Sequence, residues 1–234
     1  MSLVPRPVAQ QTQRVLLQSW RWLQRHRWLA VALIVLGFAL AAFAEIADEL
    51  DEGTLPALDR IILDALRPHR SHLLHELAVH LSELIRSVYM VVLALPFIAY
   101  LIYTRRHRVL QALLLVPATA MLMVLVAKLL FSRERPVTAV VEEWGHSFPS
   151  GHATGATVVY GLLGYIALRF MTRTPWMRWI VAIITILLIV GTGLARIYLE
   201  VHYPSDVAAG WAAGTSILVG TIIALETWPL EGDD

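Results

Sequence analysis

Six apolar runs, at 28–45, 87–103, 109–131, 153–171, 177–198 and 206–228, dominate this chain. Each is close to the roughly 20 residues that a helix needs to cross the hydrocarbon core of a bilayer. The sequence therefore predicts an all-α integral membrane bundle of six transmembrane helices. Composition agrees: 57% of the 234 residues are hydrophobic and 16% charged, and mean hydropathy is +0.62. A soluble domain is about 45–50% apolar and about 25% charged. Membrane protein is the class, and at this length one domain is the default.

Two stretches are too polar to span. Residues 10–28, "QQTQRVLLQSWRWLQRHRW", are basic and amphipathic, and residues 55–81 mix Ile and Leu with charges. Both have the character of helices lying in the membrane interface. The expected organisation is a basic amphipathic segment at 1–27, a six-helix membrane domain at 28–228 that includes the interfacial segment 55–81, and an acidic tail at 229–234. The first run ends "ALAAFAE", like a signal-peptidase site, but the 27-residue basic stretch before it is long for a signal peptide and favours an uncleaved anchor.

Basic residues set the expected orientation. The face holding the N-terminus carries eleven arginines (6, 14, 21, 25, 27, 105, 106, 108, 169, 173 and 178) and only four acids, all near the C-terminus. The opposite face carries eight Lys/Arg and fourteen Asp/Glu. The arginine-rich face, with both termini, is expected to be cytoplasmic. The unusual polar motifs then all fall on the other face, in the loops after spans 3 and 5.

Three motifs lie there. In "KLLFSRERP" (128–136), Lys128 and Arg135 are seven apart, two helical turns, and Pro136 is expected to end the helix near Arg135. Ionisable residues in a span are functional by default. In "PSGH" (149–152), a helix N-terminus offers unpaired N–H groups. Ser150 can cap it or donate to an anion, Gly151 lets an oxyanion approach, and His152 can give a proton near neutral pH. In "ARIYLEVHYPSD" (195–206), Arg196 can fork onto phosphate oxygens. Asp206, four residues after His202, can fix one imidazole nitrogen and free the other to attack. Ser205 is a candidate cap for span 6.

Together these motifs resemble the type 2 phosphatidic acid phosphatase superfamily, whose pattern is K-x6-RP, PSGH and SR-x5-H-x3-D. The first two are complete here; in the third, Ala195 stands where serine is usual. The resemblance implies that His202 is the nucleophile and forms a phosphohistidine, Asp206 orients it, and His152 protonates the leaving oxygen. Lys128, Arg135, Ser150, Gly151 and Arg196 would hold the phosphoryl oxygens. It implies no metal and no other cofactor, and a lipid phosphate substrate: undecaprenyl diphosphate, phosphatidylglycerophosphate or phosphatidic acid, in that order, in a bacterial inner membrane. A net charge of +1 gives no reason to expect nucleic acid, and the absence of cysteine excludes thiolate chemistry.

Other features read as structural. The acidic stretch 45–59 reads as a solvated connector, and His69, His72, His75 and His80 match no zinc spacing. "GWAAG" (210–214) and Gly151, Gly155, Gly161 and Gly164 read as close-packing positions. His146 lies near the expected site, and Glu200 has no assigned role. Transfer of the phosphoryl group to an acceptor other than water would use the same motifs. A transporter would show inverted repeats or broken helices at the midplane, and no clear repeat is present. Oligomeric state is not legible.

Overall fold

The computed structural model describes residues 8–51, 54–85, 87–141 and 143–228. The expected acidic tail lies outside them, as do the side chains that would give residues 10–26 an interfacial face. α1 (Val8–Asp48) is a single helix. The sequence divides it at residue 28, where polarity changes. That boundary carries no glycine or proline, so nothing in the backbone interrupts the helix. The stretch 55–81 forms two short helices, α2 (Thr54–Leu66) and α3 (His72–Glu83), joined by a 3-10 turn at Arg67–His69.

The remaining helices are α4 (Ser87–Tyr103), α5 (His107–Phe131), α6 (Gly151–Ile166), α7 (Pro175–Tyr198) and α8 (Pro204–Thr227). A π-helical turn, Ala167–Met171, extends α6. Among the described residues, five helical segments are long and apolar enough to cross a membrane: Arg27–Asp48, His107–Phe131, Gly151–Met171, Pro175–Tyr198 and Pro204–Thr227. The run at 87–103 gives a shorter apolar helix, with Pro96 inside it.

α6 is the centre of the bundle. Of its apolar window 72% is buried, against 6% for the α1 span, so the other helices are arranged around it. α5, α7 and α8 pack on α6, and α1 packs on α8. Leu162, Leu163 and Ile166 of α6 meet Leu101 of α4 and Val109 and Leu113 of α5 in the main apolar cluster. The outward faces carry exposed Ile34 and Phe38 on α1, Leu115 and Leu122 on α5, and Ile186 and Leu187 on α7, a surface suited to lipid.

α8 approaches α6 backbone to backbone. A Cβ on Gly210 would stand 2.7 Å from the Ser150 carbonyl oxygen, and one on Gly214 would stand 2.6 Å from Thr157 Cβ. The close-packing reading of "GWAAG" therefore holds at both glycines. This approach brings the start of α8, the start of α6 and the end of α7 together at one end of the bundle.

Candidate active site

The first motif folds differently from the sequence expectation. α5 stops at Phe131, because Ser132 adopts a left-handed conformation (φ 46°, ψ 30°) and its N–H closes on Lys128 O at 3.0 Å. The helix ends four residues before Arg135, so Lys128 and Arg135 share no helical face. Lys128 donates to the carbonyls of His146 and Ser147, on the loop just before PSGH. At His146 it is thus the backbone carbonyl that serves Lys128. Arg135 lies in the loop and spreads over it, donating to Gly145 O at 3.0 Å, Trp144 O at 3.3 Å and Val201 O at 2.7 Å.

The third motif holds the buried histidine. After α7 the chain turns through Glu200, whose φ is +50°. Glu200 is buried and pairs with Arg67 Nε at 3.0 Å and Arg70 Nη2 at 2.5 Å. It ties this loop to the turn between α2 and α3. His202, only 1% exposed, follows, and then Tyr203 caps α8. Pro204 takes the first helical position, where its missing N–H costs nothing. Asp206 reaches back to the Tyr203 N–H at 2.9 Å, in the manner of a capping box. The cap is therefore Tyr203 and not Ser205, the candidate from sequence.

Asp206 also faces the imidazole: its Oδ2 is 3.5 Å from His202 Nδ1. On the ring's other side, Arg135 Nη1 is 3.4 Å from His202 Nε2. A guanidinium can only donate. Nε2 therefore presents its lone pair, and the ring proton belongs on Nδ1, toward the carboxylate. Burial pushes the His202 pKa down to about 4, although Asp206 pulls the other way. The imidazole is neutral near pH 7, as a nitrogen nucleophile must be.

PSGH sits against this pair. Ser150 is buried, and its N–H donates to Asp206 O at 2.9 Å, joining the two loops. Its Oγ accepts from Ala153 N at 3.4 Å, as the cap of α6. Gly151 is not a packing requirement: an added Cβ would meet Val124 Cγ1 at an ordinary 3.5 Å. His152 and Arg196 line a small cavity of about 90 Å³ together with Glu143. The Glu143 carboxylate pairs with Arg196 Nη2 and, at 3.3 Å, with Arg135 Nη2.

Three site residues escaped the sequence reading. Arg133, two before Arg135, donates to Asp206 Oδ1 at 2.6 Å, Ser205 Oγ at 2.7 Å and Asp59 Oδ2 at 2.8 Å, and stacks over the Tyr203 ring at 4.2 Å. Asp59, at the end of the stretch taken for a solvated connector, is buried. It accepts from Ser205 N at 2.9 Å and Ser205 Oγ at 2.5 Å. Glu143 is the third. A charged residue two before the motif arginine is the one signal that could have pointed to Arg133.

These loops assemble a neutral buried imidazole, a carboxylate that faces it, a second histidine and three arginines, at the end of an apolar helical bundle. The family model described as the PAP2 superfamily matches residues 109–229, just over half the chain. Phosphatidylglycerophosphatase B of Bacillus subtilis (strain 168) is 29% identical over 176 residues, covering 74% of this chain and 85% of that protein. An undecaprenyl-diphosphatase of Sulfolobus acidocaldarius is 34% identical over 90 residues, 37% of each chain. The crystal structure of a transmembrane PAP2-type phosphatidylglycerolphosphate phosphatase from Bacillus subtilis superposes with a TM-score of 0.78 at 26% identity, over 84% of this chain and 98% of that one. Membrane-length apolar helices, the three motifs gathered at one end of the bundle and these likenesses lead to one assignment: the chain belongs to the PAP2 superfamily and is an integral membrane lipid phosphatase.

Proposed function

We propose that the protein hydrolyses a terminal phosphate from a membrane lipid through a phosphohistidine on His202. The supporting observation is the imidazole held between Asp206 and Arg135, with its lone pair on Nε2. Nε2 attacks phosphorus in line, and the bond to the lipid oxygen breaks. His152 gives that oxygen a proton. Water then attacks the phosphohistidine and passes its proton to the now neutral His152, while the P–N bond breaks and inorganic phosphate leaves. Arg135, Arg196, Lys128, the Ser150 hydroxyl and the Gly151 N–H hold the equatorial oxygens, where stabilisation counts most in phosphoryl transfer. These cations supply the charge that a metal provides elsewhere, so turnover should survive chelation.

The lipid tail has a place to lie. An apolar cavity of about 560 Å³ runs between α1, α5 and α8, lined by Phe43, Met123, Phe131 and Ile217 and reaching Pro149 of the PSGH loop. A tail there would deliver its phosphate to the start of α6. Undecaprenyl diphosphate is our first choice of substrate, then phosphatidylglycerophosphate and phosphatidic acid. The order follows from an extracytoplasmic site in a bacterial inner membrane with both termini inside, as arginine counting favours. Such a site is where a carrier lipid sheds its phosphate. Detergent-purified protein with excess chelator should release phosphate from at least one of the three lipids, and His202→Ala should release none. Release that requires a divalent cation, or persists in His202→Ala, would overturn the proposal.

A further inference from the structure

The two arginines proposed to hold phosphate already hold an anion. Glu143 places one carboxylate oxygen on Arg196 and the other on Arg135. Arg196 is 3% exposed and Arg135 13%, so this is a largely buried ion pair and not a surface contact. Burial pushes the Glu143 pKa up, but Arg196, with His152 and Arg135, holds it below the usual carboxylate range, so the group is an anion near pH 7. A two-oxygen carboxylate between two guanidiniums presents the geometry that a phosphoryl group would present to the same donors.

We propose that Glu143 is a built-in competitor for the phosphate position, which every anion must displace to reach His202. This rests on the phosphate-pocket reading above. Displacement is feasible because Glu143 belongs to the irregular loop between α5 and α6, not to a helix. Next to it, Trp144 is 95% exposed. Gly145 follows at φ +77°, a left-handed conformation that an L side chain would strain, and nothing lies within 4 Å of the Cβ it lacks. Moving the carboxylate out breaks no packed core, and apart from the ion pair itself Arg135 holds the loop through the Trp144 and Gly145 carbonyls.

The consequence is a site that weakly binding anions seldom occupy. Lipid surfaces are crowded with phosphodiester headgroups, and a vacant pair of buried arginines would collect them. An internal carboxylate leaves only a fraction of the molecules open, and apparent affinity falls by that fraction for every anion alike. Weakly bound headgroups then never fill the site. A terminal phosphate, carrying about −1.5 to −2 charges, binds strongly enough to displace the competitor.

The test is competitive inhibition of lipid hydrolysis by inorganic phosphate and by orthovanadate, in wild type, Glu143→Gln and Glu143→Ala. Both variants should lower the inhibition constant of both anions, by roughly tenfold or more, the worth of one charge-assisted contact. An unchanged or raised constant, with both anions still competing in the wild type, would overturn the competitor role and leave the pocket standing. Glu143 would then be holding the arginines in place. If neither anion competes in any form of the protein, the phosphate pocket itself is wrong and the competitor falls with it.

Discussion

Arg133 and Asp206 form a buried ion pair at the heart of the site, with Nη1 and Oδ1 2.6 Å apart and the Asp206 side chain fully enclosed. The same guanidinium reaches Asp59 Oδ2 at 2.8 Å. Arg133 thus bridges α2 to the carboxylate that faces His202. Removing it strands two buried carboxylates, which costs about 3–5 kcal/mol for a broken buried pair. Arg133→Gln should lower the thermal unfolding midpoint in detergent clearly. Arg133→Lys should recover only part of the loss, because an ammonium cannot reproduce the planar fork.

Asp59 touches Arg133 and Ser205 but no proposed phosphate donor. Asp59→Asn should therefore lower kcat while leaving KM near its wild-type value. The loss should be roughly tenfold, about the worth of one charge-assisted hydrogen bond. A change confined to KM would mean that Asp59 acts on substrate binding and not on the orientation of Asp206.

The depressed pKa of His202 makes a stability prediction. The folded protein takes up this proton near pH 4, while an unfolded chain does so near 6.5. Between those values the unfolded state binds more protons, so stability rises with pH and falls as the solution is acidified from about 6.5 toward 4. In His202→Gln that share of the slope should vanish. Thermal unfolding in detergent across this range, wild type beside variant, reads the difference.

Gly210 lets α8 lie against the start of α6. A methyl group there meets the Ser150 carbonyl oxygen at 2.7 Å and Ala153 Cβ at 2.9 Å, and neither can swing aside as a flexible side chain could. Gly210→Ala should destabilise by about 1–3 kcal/mol. It should also lower activity, because the displaced atoms belong to the PSGH turn. Wild-type activity and unfolding temperature in this variant would contradict the backbone-to-backbone packing.

The charged motif residues were legible in the sequence because polar side chains beside long apolar runs stand out, and hydropathy alone puts their loops on one side. What escaped has physical reasons. Asp59 and Arg133 are 74 residues apart, and only the tertiary fold shows that an acidic connector ends in a buried partner. Proline rules predict a helix up to Arg135, but the left-handed Ser132 ends α5 earlier, a local choice that the sequence does not announce. Glu143 looks like one more loop acid until the fold brings Arg196 to it. The first span appears separate from the basic segment before it, because polarity changes there while backbone hydrogen bonding does not.

The central claim is the covalent step at His202. It is tested most directly by rapid quenching of the protein with a lipid substrate labelled in its terminal phosphate, followed by mapping of the label. We predict a phosphoenzyme that survives alkali, is lost in acid, and maps to His202. It should be absent from His202→Ala. Turnover with no labelled protein at any quench time, or label on a residue other than His202, would contradict the account.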